Sequence, residues 1–165
     1  MIHQKQPYAG CFPTTVAMLY NVDIDEVIKV GLEGTPWTSW DEGFNNTRST
    51  TAYRDIVSRI LLKFPGPLTL AYNNLVQCSI TPFPINLPPN KGAITITNLI
   101  ANHVVAYEDQ VIFDGNMEMG VNWKLWRNHR IKYDWSLVRI ITMAEITAKV
   151  QPTQPIQLKL NLNVC

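Results

Sequence analysis

The sequence predicts an α+β fold, in which helices come first and an antiparallel sheet follows. The patterns with helical spacing all lie within the first 64 of the 165 residues, whereas β-branched and alternating runs dominate from residue 68 onward. Helices and strands that occupy separate stretches of a chain are typical of α+β proteins. The length suits one domain that can bury a core of its own.

Two short helices are expected near the N-terminus. Pro13 fits the first turn of a helix over about residues 13–21, because a helix does not use the N–H that proline lacks at that point. Asp23 is a suitable N-cap for a second helix over residues 24–30, and Gly31 is expected to end it.

A third helix is expected after a long loop. Residues 32–52 are rich in Gly, Ser, Thr and Asn and predict a loop. Residues 51–64 carry apolar side chains at helical spacing, and Pro65 ends that pattern. Aromatic side chains of the loop, and two more downstream, either pack in the core or line a substrate cleft: Trp37, Trp40, Phe44, Trp123 and Trp126.

The second half of the chain predicts strands. The expected strands are 68–72, 75–80, 92–97, 103–107, 111–114 and 137–142. Residues 81–90 contain several prolines and predict a loop, since proline cannot donate within a central ladder. The segments 103–107 and 111–114 are close enough along the chain to form a hairpin.

The C-terminal segment differs from the domain before it. We expect a domain over residues 1–148, followed by a spacer and an extended tail over residues 149–165. Residues 156–164 alternate apolar and polar side chains, which predicts a strand with one buried face. Two hypotheses remain open for residues 156–165. The strand either folds back on its own sheet or joins a second copy or a partner protein by strand addition.

Composition argues against several partners. Fourteen basic and 13 acidic residues give a net charge of +1, and no basic face suggests nucleic acid. No apolar run approaches the ~20 residues that span a membrane. The first residues lack a signal-peptide core, so a cytoplasmic location is expected.

The number and the spacing of the three cysteines favour free thiols over a disulfide framework or a metal site. Cys11, Cys78 and Cys165 are odd in number and widely spaced, which does not suit a disulfide framework in a cytosolic chain. No close Cys or His pairing matches a zinc site. We expect neither metal nor cofactor.

The arrangement around Cys11 predicts a nucleophile. Cys11 precedes a helix start, where backbone N–H groups and the helix dipole favour a thiolate. His103 and Asp114 lie on the two strands of the predicted hairpin, where they could supply a general base and the group that orients it. The alternatives are a buried structural thiol and a core histidine, and Asn116 is a second candidate for the orienting group.

These segments together resemble the papain-like cysteine peptidases, nearest to the bacteriocin-leader-processing type and its small phage and bacterial relatives. The resemblance covers roughly residues 4–115. It rests on these elements: Gln6, Cys11-Phe-Pro13, Ala17-Met18, Asp25–Gly31, His103-Val-Val105 and Val111-Ile-Phe-Asp114.

The resemblance implies a papain-like fold and a hydrolase with Cys11, His103 and Asp114 as its catalytic triad. It also implies a glutamine that donates to the oxyanion together with the Cys11 N–H. The family glutamine lies six residues before the cysteine, whereas Gln6 lies five before and Gln4 seven before, so both stay candidates. Phe12 stands where the family has glycine.

The sequence therefore predicts a cysteine hydrolase acting on a peptide or protein substrate. One alternative is a non-catalytic structural or assembly protein with the same fold, such as a phage virion or accessory component, joined to partners through its C-terminal strand. The other alternative is a binding module that holds a peptide in the cleft of such a fold without cleaving it.

Overall fold

The computed structural model describes residues 1–48, 51–65, 80–98 and 101–143. Within these ranges the chain forms five helices and five strands, which confirms the α+β class. The helices are α1 (Cys11–Tyr20), α2 (Ile24–Leu32), α3 (Trp40–Thr47), α4 (Thr51–Lys63) and α5 (Trp123–Lys132). The strands are β1 (Lys91–Thr97), β2 (Asn102–Glu108), β3 (Val111–Phe113), β4 (Val121–Asn122) and β5 (Ser136–Thr142).

The five strands form one antiparallel sheet in the order β4-β3-β2-β1-β5. The predicted hairpin is confirmed, because β2 pairs with β3 through Ala106 and Phe113. A register shift after Thr95 interrupts the pairing of β1 with β5. The antiparallel register places the start of β2 beside the end of β3, where the sequence has its histidine and aspartate.

Both faces of the sheet are covered, and each cover forms a separate core. Helices α1 to α4 pack on one face, against β1 and β2 side chains that include Ala93, Val104 and Ala106. The other face holds Val105 and Tyr107, which pack with α5. Side chains alternate between faces along a strand, so β2 contributes to both cores. His103 therefore lies on a strand that is buried on both sides.

Local capping explains α1 and α2. Asn21 has the left-handed conformation (φ 55°) and ends α1, and the Asp23 carboxylate accepts from the Asp25 N–H at 2.8 Å, as expected of an N-cap. The prediction that Gly31 ends α2 was wrong, since the helix continues to Leu32. A Cβ at Gly31 would lie 2.9 Å from Ile60 Cδ1, so this glycine permits the close approach of α4.

The long loop predicted over residues 32–52 contains a helix, α3, which the sequence analysis missed. Ser39 caps it by accepting from the Glu42 N–H, and Glu42 occupies the third helical position of the Ser-x-x-Glu capping pattern. Weak helix formers within α3 concealed this signal.

Helix α5 was also missed. Its N-cap, Asn122, accepts from the Lys124 N–H at 3.0 Å. Trp123 and Trp126 are fully buried, while most other α5 side chains face solvent. Two buried positions in ten residues leave little apolar periodicity from which to predict a helix.

Several predictions lie outside the described residues: the strands at 68–72 and 75–80 apart from Ile80, the 148/149 domain boundary, and the tail strand at 156–165. Cys78 and Cys165 lie outside them as well. No helix in the described ranges is both long enough and apolar enough to cross a membrane.

Candidate active site

Cys11 is the first residue of α1 and is half-buried, whereas the helix behind it is buried from Phe12 to Leu19. As the first helical residue, Cys11 has a backbone N–H without a partner inside the helix. No acidic side chain occupies the first turn of α1, so nothing there opposes a negative charge on the thiol.

His103 and Asp114 form a buried pair next to Cys11. His103 is the second residue of β2, and Asp114 directly follows β3. The imidazole Nε2 lies 3.0 Å from Asp114 Oδ1, and the Cys11 side chain is near enough to the imidazole to raise its pKa. Since Nε2 is taken by Asp114, Nδ1 is the ring nitrogen left for the thiol. The structure therefore brings together the three residues that the sequence predicted.

The surroundings of His103 favour its protonated form. Burial alone lowers the pKa of His103, but the hydrogen bond that the imidazole donates to Asp114, its interaction with the Cys11 side chain and the charges of both groups raise it to about 9. The imidazolium is thus the stable form at neutral pH, and it is flanked by two groups that carry negative charge when ionised.

Asp114 is fully buried and keeps its charge through four hydrogen-bond donors. Burial raises the pKa of Asp114, but the hydrogen bond and charge of His103, the Asn116 N–H and the Arg130 charge hold it well below its usual range. Oδ1 accepts from His103 and from the Asn116 N–H at 3.0 Å. Oδ2 accepts from Trp126 Nε1 at 3.2 Å and from Arg130 Nη2 at 2.6 Å.

The two glutamine candidates occupy opposite ends of α1. The Gln4 amide donates to the Val22 carbonyl and accepts from the Ile24 N–H at 2.8 Å, beyond the C-terminal end of α1. Gln6 instead lies beside Asp114, since its N–H donates to the Gly115 carbonyl at 3.0 Å. Its buried Oε1 has no hydrogen-bond partner among the described residues.

Four further residues lie around the site or away from it. The Asn116 side chain is exposed, and its backbone N–H donates to Asp114. Phe12 is 8% exposed and packs in the core. His129 is exposed. His3 is half-buried, and its Nε2 lies 2.9 Å from the Asp114 carbonyl oxygen.

The aromatic residues mostly pack in the core rather than line a cleft. Trp40, Trp123 and Trp126 are buried, and Trp37 and Phe44 are half-buried. Trp135, which the sequence analysis did not single out, packs edge-on against the His103 ring at 6.2 Å between centroids.

Trp135 also borders a groove of about 640 Å³, lined among the described residues by Ile80, Thr81, Pro82, Phe83, Arg127, Ile131, Trp135, Ser136 and Leu137. One side chain thus separates the imidazole from an open, largely apolar surface.

Sequence reasoning missed the two α5 side chains that hold Asp114. Trp126 and Arg130 are four residues apart, so a helix places them on one face. The pattern Trp-x-x-x-Arg was visible, but without a predicted helix nothing placed the two side chains on one face.

Within the described ranges, no group of three or more His, Cys, Asp or Glu side chains is arranged to hold a metal ion. Comparison of the chain with models of protein families, with curated proteins and with solved structures found no match.

Proposed function

We propose that the protein is a cysteine hydrolase of papain-like fold, which cleaves a peptide, isopeptide or other amide bond. The observation that carries the proposal is the buried His103–Asp114 pair, joined at 3.0 Å, with the Cys11 side chain close enough to interact with the imidazole. A thiol beside an imidazole that a buried carboxylate orients is the arrangement of a cysteine nucleophile with its base.

In the first half-reaction Cys11 and His103 react as a thiolate and an imidazolium, the thiol proton being already on the ring, and Cys11 Sγ attacks the carbonyl carbon of the amide. The resulting oxyanion accepts from the Cys11 N–H and from the Gln6 carboxamide. The imidazolium then gives its proton to the leaving nitrogen as the C–N bond breaks, which releases an amine and leaves a thioester on Cys11.

In the second half-reaction His103 takes a proton from water, and the hydroxide attacks the thioester carbonyl. The C–S bond then breaks, a carboxylic acid leaves, and the proton taken from water stays on His103, so the thiolate and the imidazolium are restored. Asp114 keeps its charge throughout and stabilises the imidazolium.

Selective alkylation tests the proposal without a known substrate. Iodoacetamide at mildly acidic pH, with mass spectrometry of the modified peptides, should label Cys11 before Cys78 and Cys165, because the imidazolium stabilises the Cys11 thiolate. His103→Ala should remove this preference, and His129→Ala, at an exposed histidine, should keep it. Equal labelling of the three cysteines in the unmodified protein would contradict the proposal and favour a non-catalytic protein.

Turnover of a peptide library provides the second test. Cys11→Ala and His103→Ala should each abolish cleavage while the protein stays folded, and the double variant should be scarcely worse, because triad members act as a unit. Cleavage that survives in Cys11→Ala would refute the mechanism.

A further inference from the structure

Arg130 stands behind the carboxylate of the candidate triad. Its Nη2 lies 2.6 Å from Asp114 Oδ2, and its guanidinium carbon lies over the rings of Trp126 and Trp135, at 5.0 and 5.5 Å from their centroids. The side chain is only 13% exposed. Two aromatic rings and one carboxylate therefore fix the guanidinium in place.

The donors around Asp114 are divided between its two oxygens. Oδ2 receives both α5 donors, Trp126 and Arg130, and Oδ1 receives His103 and the Asn116 N–H. Because Oδ2 is held from behind, Oδ1 is directed at the imidazole.

The charges of the site balance only when Arg130 is included. With the thiol and the imidazole ionised, Cys11 and Asp114 carry two negative charges, and His103 and Arg130 carry two positive charges. A second histidine lies nearby: His3 Nε2 is 2.9 Å from the Asp114 backbone carbonyl oxygen. Without the guanidinium, the site would keep an uncompensated buried anion, which is costly.

We propose that Arg130 is a positioning residue of this site, which keeps the Asp114 carboxylate ionised and directed at His103. The proposal rests on the function proposed above. Arg130 acts through Asp114, and it ties the site to α5, which carries it.

The test compares the pH dependence of Cys11 alkylation by iodoacetamide in variants of the full chain. Arg130→Gln and Arg130→Met remove the charge, and methionine keeps an unbranched side chain between the two indoles. Both should raise the pH of half-maximal alkylation by about 1 unit or more, because a less ionised and less ordered Asp114 supports the imidazolium less. Arg130→Lys keeps a positive charge and should restore most of the difference.

Arg127→Gln is the matched control. Arg127 lies on the same helix and is also half-buried, but its Nη1 donates to the Pro84 carbonyl at 2.9 Å. Its removal should leave the alkylation midpoint unchanged. An equal shift in Arg127→Gln, or no shift in either charge-removing variant, would overturn the proposal.

A double-mutant cycle checks the route through Asp114. In an Asp114→Asn background, Arg130→Gln should produce no further shift, because the carboxylate that Arg130 holds is already absent. A shift of full size in that background would overturn the proposal. Unfolding of both charge-removing variants at pH 7, while Arg127→Gln stays folded, would show a structural role and also overturn it. Unselective labelling of the unmodified protein would instead refute the proposed function itself.

Discussion

Thr15 Oγ1 donates a buried hydrogen bond of 3.0 Å to the Val104 carbonyl and thereby ties α1 to β2. Thr15 lies four residues after Cys11, so the two share one helix face, and Val104 directly follows His103. This contact therefore helps to fix α1, which carries Cys11, relative to β2, which carries His103.

Thr15→Val should lower both stability and reactivity. The substitution keeps the shape of the side chain but removes the donor, at a cost of about 1–3 kcal/mol for a buried hydrogen bond. Urea unfolding would measure the loss of stability, and alkylation of Cys11 at pH 6 should slow several-fold because the helix can shift relative to β2. Thr47→Val is the control, since Thr47 is equally buried and its hydroxyl donates to the Gly43 carbonyl within α3. It should lose stability while Cys11 keeps its reactivity, and an equal loss of reactivity in both variants would contradict the prediction.

Stability should depend on pH through His103 on the alkaline side. The pKa of His103 is raised from 6.5 to about 9, so its contribution is fully present below pH 6.5 and is lost as the pH rises through about 9. That rise corresponds to roughly 3 kcal/mol of stability. Chemical denaturation at pH values from 6 to 10 should show this loss in the unmodified protein. His103→Gln should show little of it, and His129→Gln should resemble the unmodified protein.

Asp114 should set the acid side of the same profile. Its pKa is held below the ordinary value of 3.8, so its contribution is present above about pH 4 and is lost as the pH falls further. Asp114→Asn should flatten the acid limb of the denaturation profile. A limb that stays unchanged in this variant would mean that other carboxyl groups control acid unfolding.

Gly115 should tolerate no side chain, because the segment that carries Gln6 and the first turn of α1 both approach it closely. A Cβ at this position would lie 2.9 Å from both Gln6 Cβ and Thr14 Cγ2. Gly115→Ala should therefore displace the segment that carries Gln6 and reduce turnover of a cleaved peptide by more than tenfold, an effect of misplacing a catalytic group. Gly120→Ala is the control, since a Cβ there meets only the ends of two side chains, the nearest being Val111 Cγ1 at 2.8 Å. Similar turnover in the two variants would contradict the prediction.

The sequence was sufficient to select Cys11, His103 and Asp114, because each has a local signal that does not need the rest of the fold. Pro13 marks the helix start at Cys11, and the hairpin pattern brings the histidine and the aspartate to adjacent strand ends. The antiparallel register of the hairpin explains why His103 and Asp114 share one site. The alternation of side chains along β2 also indicates this register.

The support behind the site could not be predicted, because it depends on tertiary contacts. Arg130 and Trp126 become donors to Asp114 only once α5 packs on the far face of the sheet, and α5 has only two buried positions. The prediction that Gly31 ends α2 failed for the same reason. This glycine allows the close contact with Ile60, and its local backbone preference does not end the helix.

The structure also separates Gln6 from Gln4, both of which were candidates from the sequence. Gln6 lies beside Gly115 with a buried carboxamide oxygen, whereas Gln4 ties the turn between α1 and α2. Gln6→Ala should reduce turnover of a cleaved peptide by about 10²-fold, the usual effect of removing an oxyanion donor.

Alkylation of Cys11 should be unchanged in Gln6→Ala, because iodoacetamide reacts without forming an oxyanion. Gln4→Ala is the matched control: it should lower the melting temperature, since two hydrogen bonds of the turn are lost, and it should keep near-normal turnover. The opposite pattern, with turnover lost in Gln4→Ala and kept in Gln6→Ala, would place the oxyanion donor away from the Gly115 side of the site. Loss of Cys11 alkylation in Gln6→Ala would instead mean that Gln6 supports the thiolate rather than the oxyanion.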